Sequence, residues 1–229
     1  MIPIYEADRL DPAALLSRDI QAEEDVSAAV DAILRDVRAR GDAAVRAYTE
    51  QFNGVSLDRF EVTREEIDAA WDGLDGDFRK TLRLSADNIR RFHETQVRRD
   101  TVLTDRPGVV LGQRYTPIEK VGICVPGSPA AFPSTILMNV IPAKIAGVRE
   151  IVVVTPPDRD GAVSPEALAA ARIAGADRVF KIGGAQAVAA LAYGTETVPA
   201  VDKIVGPGGI FVATAKRKVF GRVAIDMIA

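Results

Sequence analysis

One cysteine and one histidine stand in 229 residues. A lone cysteine cannot close an internal disulfide, and with a single imidazole it cannot furnish an ordinary structural zinc site. Long apolar runs are missing too. Lys, Arg, Asp or Glu interrupts every stretch before the roughly 18 residues a membrane-spanning helix requires, and no basic-then-apolar start marks a secretory signal. The expectation is a cytoplasmic protein without a membrane partner. Aromatic residues are scarce at 6%, and 29 basic against 32 acidic side chains leave a net charge of -3. With no basic stripe interleaved with aromatics, nucleic acid is a poor partner. What remains, 48% apolar and 27% charged, is the composition of a globular protein long enough for one large domain or two small ones.

The two parts of the chain differ. Residues 1–100 carry 15 basic and 22 acidic groups but only four of the 18 glycines, whereas residues 101–229 carry 14 basic and 10 acidic groups. A mildly positive, glycine-rich stretch following an acidic, glycine-poor one points to a small anionic ligand held in the second part.

Helical periodicity runs through most of the first part. Val26, Ala29, Val30, Ile33, Leu34 and Val37 recur at intervals of three and four, with Gly41 as a C-terminal cap. A second helix is predicted from about Asp42 to Phe52, ending at Asn53-Gly54, and Thr63 with Glu66 forms a capping box ahead of Ile67, Ala70 and Trp71. The longest helix, about Asp77 to Val97, sets Phe78, Leu82, Ile89 and Phe92 on one face. Beyond residue 100, Val109–Leu111 and Tyr115–Ile118 read as short strands after the Pro107-Gly108 turn. Apolar strands at about Val121–Val125, Ile151–Thr155, Arg178–Ile182 and Lys203–Val205, with another near Ala224, then alternate with helices. Ser164-Pro165-Glu166 starts one of these helices, Gly175 follows it, and Pro142 should kink another. This alternation predicts an α/β fold with a parallel sheet. The division is a mainly helical region with edge strands over 1–118 and an α/β unit over 119–229.

Four strands run into turn-forming residues and then a helix: Pro126-Gly127-Ser128, Thr155-Pro156-Pro157, Gly183-Gly184-Ala185-Gln186 and Gly206-Pro207-Gly208-Gly209. In a parallel sheet these loops gather at the carboxyl edge, where free helix N–H groups attract phosphate, and a dinucleotide pyrophosphate fits. Gln186, in an otherwise apolar helix start, either hydrogen-bonds a ribose or base or caps the local backbone. Cys124 ends a central strand and is expected to be an inert buried thiol, because the one histidine, His93, falls on an arginine-rich helix elsewhere. His93 reads as a surface or helix-end group. Lys216-Arg217-Lys218 reads as a solvated terminus complementing the helix dipole. Asp202 and Asp226 lie beside strands without a second ligand at metal-binding spacing, so neither a catalytic group nor a metal site is expected in this chain.

PIEKVGICVP from Pro117, FPSTILMNVIPAKIAGV from Phe132, KIGGAQAVAALAYGTETVP from Lys181 and VDKIVGPGGIFVATAKRKVFG from Val201 together closely resemble histidinol dehydrogenase. The resemblance spans the whole chain, more loosely in the first hundred residues. It implies a Rossmann-like α/β fold of the aldehyde dehydrogenase-like, histidinol dehydrogenase-like kind. It also implies NAD-dependent oxidation of L-histidinol through histidinal to L-histidine by a zinc-bearing homodimer in histidine biosynthesis. Ile225-Asp226-Met227-Ile228-Ala229 looks like the opening of a family signature that continues Gly-Pro-Ser-Glu. By resemblance, then, the chain stops early, and the zinc ligands, a Glu-His catalytic pair and the substrate groups belong to the continuation.

Of the side chains that contact NAD in the family, Gln186 matches. The expected tyrosine is Cys124, the following second glycine is Ser128, and the expected asparagine of G-P-G-N is Gly209. The competing readings are a non-catalytic nucleotide-binding or assembly module, a diverged paralogue acting on another amino alcohol or hydroxy compound, and an aldehyde dehydrogenase-like reductase using Cys124.

Overall fold

The computed structural model describes residues 20–127 and 131–227, with side chains from residue 26 onward. The N-terminal segment read for a targeting signal, Ser128 in the first glycine loop, and Ile228 and Ala229 lie outside them. Four helices come first: α1 (Ile20–Arg40), α2 (Asp42–Asn53), α3 (Arg64–Gly73) and α4 (Gly76–Glu94). Local chemistry places their ends. Thr63 and Glu66 form the reciprocal capping box of α3, with the Thr63 N–H donating to Glu66 at 2.6 Å and the Glu66 N–H donating to the Thr63 hydroxyl at 3.1 Å. The Asp75 carboxylate accepts from the Asp77 and Phe78 N–H groups and starts α4. That helix ends at Glu94 and not near Val97, where the Thr95 hydroxyl turns back to donate to the Phe92 carbonyl at 2.7 Å.

A two-stranded antiparallel ribbon follows, β1 (Thr101–Arg106) and β2 (Val109–Gln113), pairing Thr101 with Gln113 and Arg106 with Val109. Both strands flank the Pro107-Gly108 turn, so the hairpin lies earlier than expected and Tyr115–Ile118 is not a strand. A two-residue turn needs partners on both sides, and the β-branched Thr101-Val102 run supplies the first. The Tyr115 N–H instead donates to Asp100 Oδ1 at 2.8 Å.

The rest is β3 (Lys120–Cys124), α5 (Pro133–Ile145), β4 (Glu150–Val154), α6 (Pro165–Ala174), β5 (Arg178–Phe180), α7 (Gly184–Tyr193), β6 (Lys203–Val205), α8 (Ile210–Val219) and β7 (Ala224–Ile225). Five strands form one sheet in the order β5-β4-β3-β6-β7, with every pair parallel. This is the α/β fold expected. The chain builds outward from β3 through β4 to β5, then returns to the other side of β3 for β6. Strand order therefore reverses between β3 and β6.

Successive residues of each strand face opposite sides, and both sides are apolar, which is why these strands read as unbroken hydrophobic runs. Val121, Ile123, Ile151, Val153 and Val179 pack with Trp71, Leu82 and the inner faces of α5 and α6. Cys124, Val152, Val154, Phe180 and Ile204 pack with Val30, Ile33, Leu34 and Val37 of α1 and with α7. The acidic helical stretch thus supplies an outer layer on each side of the sheet. At one edge, β5 is covered by residues 60–62: the Val62 N–H donates to the Val179 carbonyl at 2.8 Å and the Lys181 N–H to Phe60 at 2.7 Å. Arg178 clamps that segment by donating to both carboxylate oxygens of Glu61 at 2.9 and 2.7 Å. The same bonds hold the Glu61 carboxyl below its usual range. Covering the edge this way removes an open strand as a template for association.

Burial sets an expectation for stability. Ile123, fully buried at the centre of β3, should cost about 2–5 kcal/mol when replaced by alanine, whereas Val110→Ala on the exposed ribbon should change stability by less than about 0.5 kcal/mol. Urea unfolding of the two variants checks this, and equal losses would contradict the assignment of the core.

Candidate functional site

At the carboxyl edge, the loops after β3 and β6 stand next to one another at the reversal, with the loop after β5 beside them. Together they enclose a cleft of about 180 Å³, lined by Cys124, Gly127, Pro156, Gly183, Gly184 and the Pro207–Gly209 turn. A second hollow of about 440 Å³ adjoins it, sharing Val125, Pro126, Gly127 and Pro156 and extending to Thr155 and Ser164. The first is smaller than the roughly 300–1,000 Å³ of most small-molecule sites, and the second lies within that range.

Two residues make the cleft narrow. Pro156 sits against Gly183, where a Cβ would come within 2.7 Å of its ring. Gly206, with φ +100°, presses on the Cys124 carbonyl so closely that a Cβ would lie 2.2 Å from that oxygen. No side chain fits there, and few would adopt that backbone.

Helix starts differ along the chain, and α2 at Gly41 and α5 at Phe132 also lack a side-chain cap. Helix α6 is capped by the Ser164 side chain, α3 by Thr63 and α4 by Asp75. Helices α7 and α8 begin at Gly183 and Gly209, and neither start has a side-chain cap. Their first N–H groups are therefore left for a ligand or solvent, at the positive ends of two helix dipoles. Gln186 lies one turn behind this wall. It is only 1% exposed, its Oε1 has no hydrogen-bond partner among the described residues, and that oxygen folds over Gly184 to within 2.6 Å of where a Cβ would be. The local backbone cap that the sequence left open for Gln186 is not made by this oxygen. A buried carboxamide oxygen without a partner costs free energy that a ligand donor would recover.

Of the sequence-predicted positions, Cys124 and Gly209 line the cleft, Gln186 is buried behind Gly184 without lining it, and others are separated from them. Cys124 is buried and its thiol is pushed up to about 12, mainly by desolvation, with nearby Lys216 only partly offsetting it and Asp226 adding to it. His93 lies in α4, its Nδ1 2.6 Å from Gln96 Oε1, and lines a different hollow of about 650 Å³ with Arg98, Tyr115 and Met138. Asp202 accepts the Lys120 N–H at 2.8 Å, joining the amino ends of β6 and β3. Among the described residues, no three His, Cys, Asp or Glu side chains are grouped to hold a metal ion.

Lys216 corrects the sequence reading. It is not a solvated helix-end charge but is 2% exposed, donating to the Gly206 carbonyl at 2.9 Å and to Asp226 Oδ1 at 2.5 Å. Only Arg217 of the basic triplet is exposed, since Lys218 pairs with Asp31 at 2.8 Å. Lys216 stands one turn after Val212 and three residues before Val219 on the inner face of α8, a periodicity that marks its burial. Its partner Asp226, with a side chain 29% exposed, comes from beyond the helix and could not be read locally. Asp226 Oδ2 also accepts the Gly206 N–H at 2.8 Å. Burial alone would raise the Asp226 carboxyl, but the Lys216 hydrogen bond and the N–H groups of Met227 and Gly206 outweigh it and hold the group below the usual range.

Comparison with known proteins decides the relationship. The family model described as histidinol dehydrogenase matches residues 16–229. The chain belongs to the histidinol dehydrogenase family. It is 50% identical over 224 residues to histidinol dehydrogenase of Geobacillus kaustophilus (strain HTA426), covering 97% of this chain and 53% of that protein. The Methanosarcina mazei histidinol dehydrogenase is 53% identical over 206 residues, covering 90% and 48%. The crystal structure of histidinol dehydrogenase from Elizabethkingia anophelis superposes with a TM-score of 0.86 at 35% identity over 93% of this chain and 48% of that one. The chain thus spans about half the length of the relatives it matches. The fold of the described part agrees with the solved structure.

The thiol at the floor of the cleft allows a direct check. With Cys124 buried and its thiol raised to about 12, native protein at pH 7–8 should react with a thiol reagent only on the timescale of unfolding. Rapid labelling that rises with pH near the ordinary thiol range of about 8.5 would restore the nucleophile reading.

Proposed function

We propose that this chain is the cofactor-binding part of an NAD-dependent histidinol dehydrogenase, whose intact form oxidises L-histidinol through histidinal to L-histidine as a cytoplasmic homodimer. The carrying observation is the pair of uncapped helix starts at Gly183 and Gly209 facing one cleft at the strand-order reversal, with the unpartnered Gln186 oxygen behind it. Pyrophosphate suits the first and a hydroxyl or amine donor on the ribose or base suits the second. Bound NAD supplies the hydride acceptor. Around it, the chain's own residues bind and orient: the backbone of residues 183–184 and 208–209 receives the diphosphate, Gln186 fixes an attached group, and Pro156 with Val125 and Val154 keeps the floor apolar.

The 119–229 unit is assigned to this task because the five-stranded sheet begins at Lys120, and 1–118 is assigned to the first domain of the intact enzyme. Zinc does not fit the described residues, which offer no grouped ligands, and no step is assigned to it here. The base that takes the alcohol proton and the zinc ligands fall to the part of the relatives that this chain does not span.

Two departures set the strength of binding. Cys124 and Gly209 stand by position where the resemblance implies tyrosine and asparagine, and each lost side-chain contact removes on the order of 1 kcal/mol, or several-fold in affinity. A Cβ at Gly209 would meet nothing within 4 Å, so an asparagine fits there. Calorimetric titration with NAD should therefore show weak binding by the 229-residue chain, a further several-fold loss in Gln186→Ala, and a several-fold gain in Gly209→Asn. Tight binding that Gln186→Ala leaves unchanged would contradict the assignment.

A further inference from the structure

The Gly206-Pro207-Gly208-Gly209 turn forms one wall of the cleft, and Pro207 carries its only side chain. What holds it comes from elsewhere. Both backbone groups of Gly206 are engaged by one ion pair: its N–H donates to Asp226 Oδ2 at 2.8 Å and its carbonyl accepts from Lys216 Nζ at 2.9 Å. Lys216 and Asp226 also bond each other. The opposite face of Gly206 is pinned by the Cys124 carbonyl at the end of β3. The peptide groups on either side of Gly206 are thus fixed from three directions, by the end of β3, by the second turn of α8 and by the residue after β7.

We propose that Lys216 and Asp226 are positioning residues for cofactor binding: a clasp that sets the backbone of the Gly206–Gly209 turn and couples it to the strand β7. Three features of the pair support this over a purely structural ion pair. It is spent on the backbone of a turn in which three of four residues are glycine. Lys216 is among the fully buried side chains of the protein whereas the Asp226 side chain is 29% exposed, so desolvating the lysine offsets much of what the pair contributes to stability. Its bonds converge on a single glycine lying between the cleft and the helix whose uncapped start faces that cleft. The pair is therefore better explained by geometry it imposes than by stability it adds. Neither residue touches the reacting atoms. They act through the loop.

The role in binding rests on the cofactor reading given above, whereas the clasp itself does not, and the experiment separates them. The 229-residue chain is compared with Asp226→Asn and with the double variant Lys216→Met/Asp226→Asn, which removes both charges so that none is left buried alone. Hydrogen–deuterium exchange over residues 203–210 is followed together with calorimetric titration of NAD and thermal unfolding. The double variant should unfold cooperatively, exchange in the 203–210 segment roughly tenfold faster while α1 and α7 keep their protection, and bind NAD roughly tenfold more weakly. Asp226→Asn should show the same loop deprotection together with lower overall stability. In Gln186→Ala the loop should stay protected although binding weakens. Faster loop exchange in the double variant, together with a wild-type chain that binds no NAD, would support the clasp and refute the cofactor reading. Unchanged loop exchange in the double variant, or general unfolding of that variant, would overturn the clasp.

Discussion

A sheet whose strands all run the same way sends every strand out through one edge and forces every return through a helix. The remaining features of the molecule follow from that constraint. The central strands of the order β5-β4-β3-β6-β7 bury both faces, which demands apolar residues beyond the charged first positions Lys120, Glu150, Arg178 and Lys203 and a helical layer on each side. The acidic first hundred residues help to supply those layers, with α1 and α2 on one face and α3 and α4 on the other. The same constraint crowds the strand-to-helix turns together, and the reversal of order between β3 and β6 parts them just enough to leave a cleft.

What distinguishes the cleft is the chemistry withheld from it. Ser164, Thr63 and Asp75 close three of the other helix starts, satisfying N–H donors in place. At the site the equivalent positions are Gly183 and Gly209, which satisfy nothing. Backbone dipoles there provide a positive, directional surface with no titratable group, so its affinity for an anion should change little across neutral pH. The thiol beneath it adds no reactivity, since burial keeps it protonated. A surface of this kind binds and orients. It does not itself move protons, which agrees with a family scaffold whose described half contains its only imidazole in a separate hollow.

Local features were legible in the sequence and nonlocal ones were not. The Thr63–Glu66 box and the Ser164-Pro165 start depend on residues within one helical turn, and both form as their spacing requires. The alternation of apolar strands and helices gave the parallel sheet, because that periodicity is itself the consequence of two-sided burial. The hairpin was displaced by several residues because strand propensity marks a segment and not its partner. Gln186 could be singled out as a polar group on an apolar wall, although only the fold shows that its oxygen has no partner. Lys216 was misjudged for the opposite reason. A lysine near a helix end is ordinarily solvated, and its burial depends on Asp226, which arrives by way of β7. The 650 Å³ hollow was invisible because its walls come from residues 93–98, 115–121, 138–148 and 203–226, segments that no window along the chain joins.

The central claim is that the strand-order reversal, and no other hollow, receives the dinucleotide through backbone N–H groups. The most direct test is amide chemical-shift mapping of the isotopically labelled chain titrated with NAD. The shifts should concentrate at Gly183, Gly184, Gly208 and Gly209 and at the Gln186 side-chain amide, with Gly127 following. Shifts centred on Gln96, Arg98 and Tyr115, or spread evenly over the surface, would contradict it.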